Sequence, residues 1–163
     1  MRRKKQETKL GDSEGGGAFL LSQLGAHSAR LFAERVSCLG LTPGHAGTFR
    51  ILSATPGMTQ KELADALGTL PNRIVGLVDE LEAKGLIKRE AQAQDRRRHA
   101  LVITEAGRAM GEALRNAARD HQATLLAALD EHERLQLATL LQRIADEQGL
   151  IRGVHPGYAR RWK

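Results

Sequence analysis

The amino-acid sequence predicts a mainly α-helical chain with one small β-hairpin near its middle. Three observations carry that expectation. Apolar residues recur at helical spacing through most of the chain, as Ile74, Leu77, Val78 and Leu81 do at i, i+3, i+4 and i+7. Paired capping residues stand before such runs, Thr59 with Glu62 and Asp130 with Glu133. Between these helical stretches, 86–90 and 98–103 read as two short strands joined by a loop over 92–97.

Taken in order, residues 1–17 are charged and then glycine-rich, with nothing to bury, and read as a disordered tail. A long helix is expected over 18–39, with Leu20, Leu24, His27 and Leu31 on one side and Phe32 and Val36 close to it. Thr42 then offers an N-cap and Pro43 a first helical position, and Ala46, Phe49 and Leu52 give that second helix a buried side. Thr55-Pro56-Gly57 makes a turn. Leu63, Ala64 and Leu67 define the inner face of a third helix, which Gly68 closes in left-handed geometry, and Pro71 opens a fourth after a short turn. After the hairpin Thr104 caps a helix whose apolar spacing runs to Leu129. Asp130 starts a last helix, apolar on more than one side through Leu135, Leu137, Leu140, Leu141 and Ile144, and Gly149 ends it.

Two helices across a tight turn followed by a basic hairpin make a winged helix-turn-helix, a DNA-reading arrangement. The fourth helix separates an apolar inner face from an outer one bearing Asn72, Arg73, Gly76, Asp79 and Glu80. Asn72 and Arg73 fall at its N-terminal part, which meets base edges; Asn suits adenine and Arg suits guanine. Gly76 leaves room for close approach. Residues 88–98 hold five bases against Glu90 and Asp95, with Arg96, Arg97 and Arg98 crowded together where an inserted arginine suits a narrow groove. Thr59, Gln60, Leu70 and Lys88 complete the candidate DNA-facing set. The alternative is a solvated helix face and hairpin tip on a winged protein-interaction module without specific DNA binding.

Composition sets the bounds. The 163 residues amount to one domain's worth of chain, 41% hydrophobic but only 3% aromatic, as suits a helical protein built on Leu and Ala. The formal charge of +6 is concentrated at the ends: residues 1–9 carry +4 and residues 150–163 carry +4, which leaves the body at −2. Basic tails of that kind add salt-sensitive attraction to phosphate or serve only solubility. No apolar run reaches spanning length, no secretory pattern follows the basic start, and one cysteine makes no internal disulfide; a cytoplasmic protein is expected.

The run from Leu63-Ala64 through Leu77-Val78-Asp79-Glu80-Leu81-Glu82 and Lys84-Gly85-Leu86-Ile87, then Asp95-Arg96-Arg97, then Ile103-Thr104-Glu105-Ala106-Gly107, resembles the MarR family of transcriptional regulators. The resemblance spans about residues 20–148. It implies that Arg97 enters a minor groove, with Asp95 orienting it through a charge-assisted hydrogen bond and Arg96 and Arg98 on phosphates. Leu70, Arg73 and Gly76 stand where many members carry Ser, Thr and Arg, which bears on base preference. It also implies a homodimer formed by the first and last two helices. The residues agree, because a helix apolar nearly all round must be covered, and a second copy is the readiest cover. The expected organisation is therefore a tail over 1–17, a dimerisation helix over 18–41, the winged helix-turn-helix over 42–104, C-terminal dimerisation helices over 105–149 and a basic tail over 150–163.

The resemblance implies regulation by a small phenolic or anionic effector, usually with repression, and places His27, Arg30, His45 and Phe49 at its pocket. On its own, His27 reads as a satisfied core histidine on the apolar side of its helix. No catalytic constellation, phosphate-cradling loop or paired metal spacing among the six histidines is present, so no enzyme, cofactor or metal site is expected. Cys38, at a helix C-terminus where the dipole disfavours a thiolate, is not expected to sense oxidants.

Overall fold

Side-chain caps fix most of the helix starts. Thr42 accepts from the His45 backbone N–H and opens α2 (Pro43–Ala54), Thr59 does the same for Glu62 at α3 (Gln60–Ala66), and Asp130 for Glu133 at α6 (Glu131–Glu147). Thr104 accepts from the Gly107 N–H at 3.0 Å to open α5 (Glu105–Leu125). Pro71 stands at the first turn of α4 (Pro71–Ala83), and α1 (Gly17–Ser37) begins without a side-chain cap. The computed structural model describes residues 16–91 and 98–155. Among them the remaining elements are strands β1 (Ile87–Ala91) and β2 (His99–Ile103), paired antiparallel with Ile87 opposite Ile103 and Ala91 opposite His99.

Several boundaries differ from expectation for physical reasons. The fifth helix stops at Leu125 and not at Leu129, because Asp130 must be extended (φ −75°, ψ 176°) to cap α6 and the intervening residues form a turn. The first strand starts at Ile87 because Leu86 is used to close α4, its N–H bonding to the Leu81 carbonyl at 3.0 Å beside Gly85 at φ +68°. Thr59 also bridges Ala100, and the Leu101 N–H bonds to the Met58 carbonyl at 2.8 Å. The segment before α3 thus lies along β2, a pairing the sequence pattern does not announce.

The core fills the space between α2, α3, α4 and the hairpin. Leu52, Leu63, Leu67, Ile74, Val78, Leu81, Ile87 and Leu101 are all essentially inaccessible. Ala46, Phe49 and Leu52 were the expected inner side of α2; Phe49 and Leu52 are buried, and so are His45 and Thr48. The first turn of α5 rests on the α4–β1 turn, where Thr104 donates its hydroxyl to the Gly85 carbonyl at 2.7 Å.

The outer helices are another matter. α1 meets α5 through the Ser28 hydroxyl and His121 Nε2 at 3.0 Å, an Arg35 to Thr124 hydrogen bond of 2.8 Å, and the rings of Phe32 and His121. Phe19, Leu20, Leu21 and Leu24 of α1 nevertheless stay exposed, and α6 buries no residue while exposing Leu135, Leu140, Leu141 and Ile144. No helix among the described residues is long and apolar enough to cross a membrane.

Candidate nucleic-acid interface

Helix α4 owes its place to Ile74, Val78 and Leu81, which are buried against α3 and the hairpin. That anchoring turns Asn72, Arg73, Gly76, Asp79 and Glu80 outward, all exposed. Leu70 and Val75 are exposed as well, at 42% each. A Cβ on Gly76 would meet nothing within 4 Å, so this stretch of the helix surface is low and open.

Other members of the candidate set are tied into the protein. Thr59 is buried and caps α3, with its own N–H donating to Glu62 Oε2 at 2.7 Å. The other oxygen of Glu62 accepts from Arg98 at 2.9 Å, so one carboxylate joins the α3 cap to the start of β2. The Thr59 hydrogen bonds, and then Arg98, hold the Glu62 carboxyl below the usual carboxylate range. Lys88 pairs with Glu90 at 2.5 Å along the exposed edge of β1. Gln60 accepts from Arg89 at 3.3 Å, and Arg89 also binds Asp79 at 2.5 Å and Glu82. Asp95, Arg96 and Arg97 lie outside the described residues.

The four residues expected at an effector pocket are not brought together. His27 and Arg30 are exposed on α1, 3.4 Å apart, with Arg30 paired to Glu34. The reading of His27 as a core histidine is thereby corrected: no element among the described residues covers it, and it stays exposed on α1. His45 is fully buried on the inner side of α2, where Nδ1 accepts from the Thr42 N–H at 3.1 Å and Nε2 lies 3.0 Å from Glu80 Oε2 of α4. Burial lowers its pKa, against the opposing pull of Glu80. Of the four, only Phe49 lines a cavity found among the described residues. This space of about 520 Å³ lies between α1, α2 and α5, walled by Phe32, Phe49, Leu67 and Leu114. Arg50 and Arg115 stand at it, and Gly153 and His155 reach it from beyond α6. Its size and apolar wall with a few charged groups suit a small ligand.

Sequence reasoning missed Arg50, Arg115 and the partners of Arg89. Arg50 carried a weak signal, one residue after Phe49 on a helix whose inner side was known. Arg89 carried none, since a base within a basic hairpin reads as a surface charge. Cys38 is exposed and donates its thiol to the Glu34 carbonyl at 3.4 Å, and no cluster of potential metal ligands occurs among the described residues.

A helix pair with an outward-facing second helix, closed by an antiparallel hairpin, defines a winged helix-turn-helix DNA-binding protein. The chain belongs to the MarR family. The family's sequence profile matches residues 39–98. A proposed transcriptional regulatory protein for the hcr operon of Thauera aromatica is 34% identical over 116 residues, covering 71% of this chain and 70% of that protein. Among solved structures, a proposed transcriptional regulator from Pseudomonas aeruginosa is 35% identical with a TM-score of 0.68, covering 78% of this chain and 95% of that one. A MarR family protein of Mycobacterium tuberculosis, solved in complex with DNA, is 25% identical with a TM-score of 0.70, covering 82% and 98%. The apo form of MarR from Escherichia coli, at 22% identity, has the same fold with a TM-score of 0.71.

Proposed function

We propose that this transcriptional regulator is a cytoplasmic homodimer that represses by binding a pseudo-palindromic operator and releases it when a small ligand binds. The observation that carries the reading is the pairing of two uncovered surfaces. One is the outer face of α4, with Asn72, Arg73 and an empty position at Gly76. The other is the apolar surface at the start of α1 and along α6, which one chain leaves in solvent. Covering the second with its twin sets two copies of the first on one side of the molecule, so the half-sites should lie ~34 Å apart.

Asn72 and Arg73 are assigned to base edges, and Thr59, Gln60, Leu70, Lys88 and Arg98 to the flanks of that contact. Leu70 and Val75 suit thymine methyl groups. Arg97 is assigned to a minor groove, with Asp95 orienting it and Arg96 on phosphate. The cavity suits a small aromatic or phenolic anion, its ring on Phe32 and Phe49 and its charge toward Arg50. Because α1 and α5 wall this cavity on one side and α2 on the other, a ligand that favours a spacing of the reading heads unsuited to the operator lowers DNA affinity by that preference alone.

Selection of duplexes from random DNA, followed by titration with Arg73→Ala, tests this. Loss of preference at one position per half-site, by ~1–3 kcal/mol, is expected. The exposed Leu70 and Val75 also suit a protein partner. Failure to enrich any duplex would favour that second reading.

A further inference from the structure

Arg89 lies in β1, between Lys88 and Glu90, where its charge invites assignment to a DNA phosphate. Its surroundings argue otherwise. The side chain is 26% exposed and its guanidinium reaches three residues on two other elements: Gln60 Oε1 at 3.3 Å on α3, and Asp79 at 2.5 Å with Glu82 on α4. Its backbone N–H adds a 3.1 Å bond to Glu82 Oε1. Burial works against the charge, and Asp79 and Glu82 more than offset it, so the pKa is raised and the group stays a cation. Every described polar contact of this guanidinium is internal.

We propose that Arg89 is a positioning residue, which sets the wing hairpin against the reading helix by bridging Gln60, Asp79 and Glu82, and that it does not contact phosphate. Three elements that meet the duplex at different places are joined through one planar group. A guanidinium can do this because its five donors are fixed in a fork; an ammonium on a flexible stem offers the charge without the geometry. The same contacts neutralise two carboxylates in the C-terminal half of α4. The inference rests on DNA reading by α4, and its test begins with duplexes selected by the unaltered protein, so that failure to select any duplex counts against the function, not against Arg89.

On such a duplex Arg89→Ala should weaken binding about tenfold or more, while the slope of log affinity against log salt stays as in the wild type. Loss of a phosphate contact would reduce that slope by ~0.9, and this result would overturn the proposal. Arg89→Lys, the milder change if Ala perturbs folding in thermal melts, should also bind at least fivefold more weakly; wild-type binding would mean that charge alone suffices. The combined Arg89→Ala, Asp79→Asn, Glu82→Gln variant removes the cation and both carboxylates. It should remain weak and lose protection of the flanking minor grooves from hydroxyl radicals, with the central major-groove protection retained. Recovery of wild-type affinity would replace positioning with simple charge masking.

Discussion

A Cβ on Gly107 would sit 1.9 Å from the carbonyl oxygen of Leu86 and 2.8 Å from Ile103 Cγ2. The first turn of α5 can lie on the α4–β1 turn only because residue 107 has no side chain. Backbone lies on the other side of the contact, so the clash cannot be relieved by a rotamer change. Gly107→Ala should destabilise the fold by ~1–3 kcal/mol, as overpacking does. Gly76→Ala is the counterpart: with open space around it, the helix should gain ~0.5–1 kcal/mol. Urea unfolding of both variants measures this, and equal effects of the two would contradict the packing.

The α3 cap offers a second test. Thr59 accepts from Glu62 while Glu62 accepts from Thr59, and the same Glu62 holds Arg98. Thr59→Ala should cost ~1 kcal/mol of stability, the ordinary worth of such a cap. Glu62→Gln keeps a backbone acceptor but gives up the ion pair, so its smaller loss should shrink further in high salt.

Stability should fall as pH drops below the ordinary imidazole value of 6.5. His45 is lowered by burial, with Lys84 acting in the same direction and Glu80 against it; His121 is lowered by burial and by Arg35. Unfolded, these rings take protons near 6.5; folded, they resist until lower pH. In that window the unfolded chain binds more protons, so acidification favours it. His121→Gln, which can still bond Ser28, should flatten the decline in denaturation midpoints between pH 7 and 5. An unchanged slope would show that His121 contributes nothing to it.

The uncovered apolar helices give a prediction about assembly. Leu140→Glu with Ile144→Glu places two charges on an α6 face that buries nothing within one chain. Sedimentation should show the wild type as a dimer and the double variant as a monomer with the reading domain intact by thermal melt. A wild-type monomer at micromolar concentration would remove the basis for two half-sites.

The helical framework is legible in the sequence because its signals are local. Thr59 and Glu62, Asp130 and Glu133, Gly68 and Gly149 mark their own ends, and the inner face of α4 follows from spacing alone. What escapes is whatever depends on distant partners. His45 is expected at an effector pocket until Glu80, 35 positions away by numbering, arrives on α4 and its own Nδ1 takes the Thr42 N–H. Arg89 looks like one more base until Gln60 and Asp79 surround it. The cavity takes Phe32 from α1, but the expected His27 and Arg30 do not line it, while Arg50 and Arg115, from α2 and α5, stand at it. Side-chain direction across a helix interface is set by packing that no single segment encodes.

The most direct measurement of the central claim is the stoichiometry and spacing of the complex with a selected duplex, by sedimentation combined with footprinting. The account predicts two chains per duplex, two equivalent protected half-sites with centres ~34 Å apart, and loss of both on Arg73→Ala. One chain per duplex, or equal affinity for a scrambled sequence at the same salt, would contradict it.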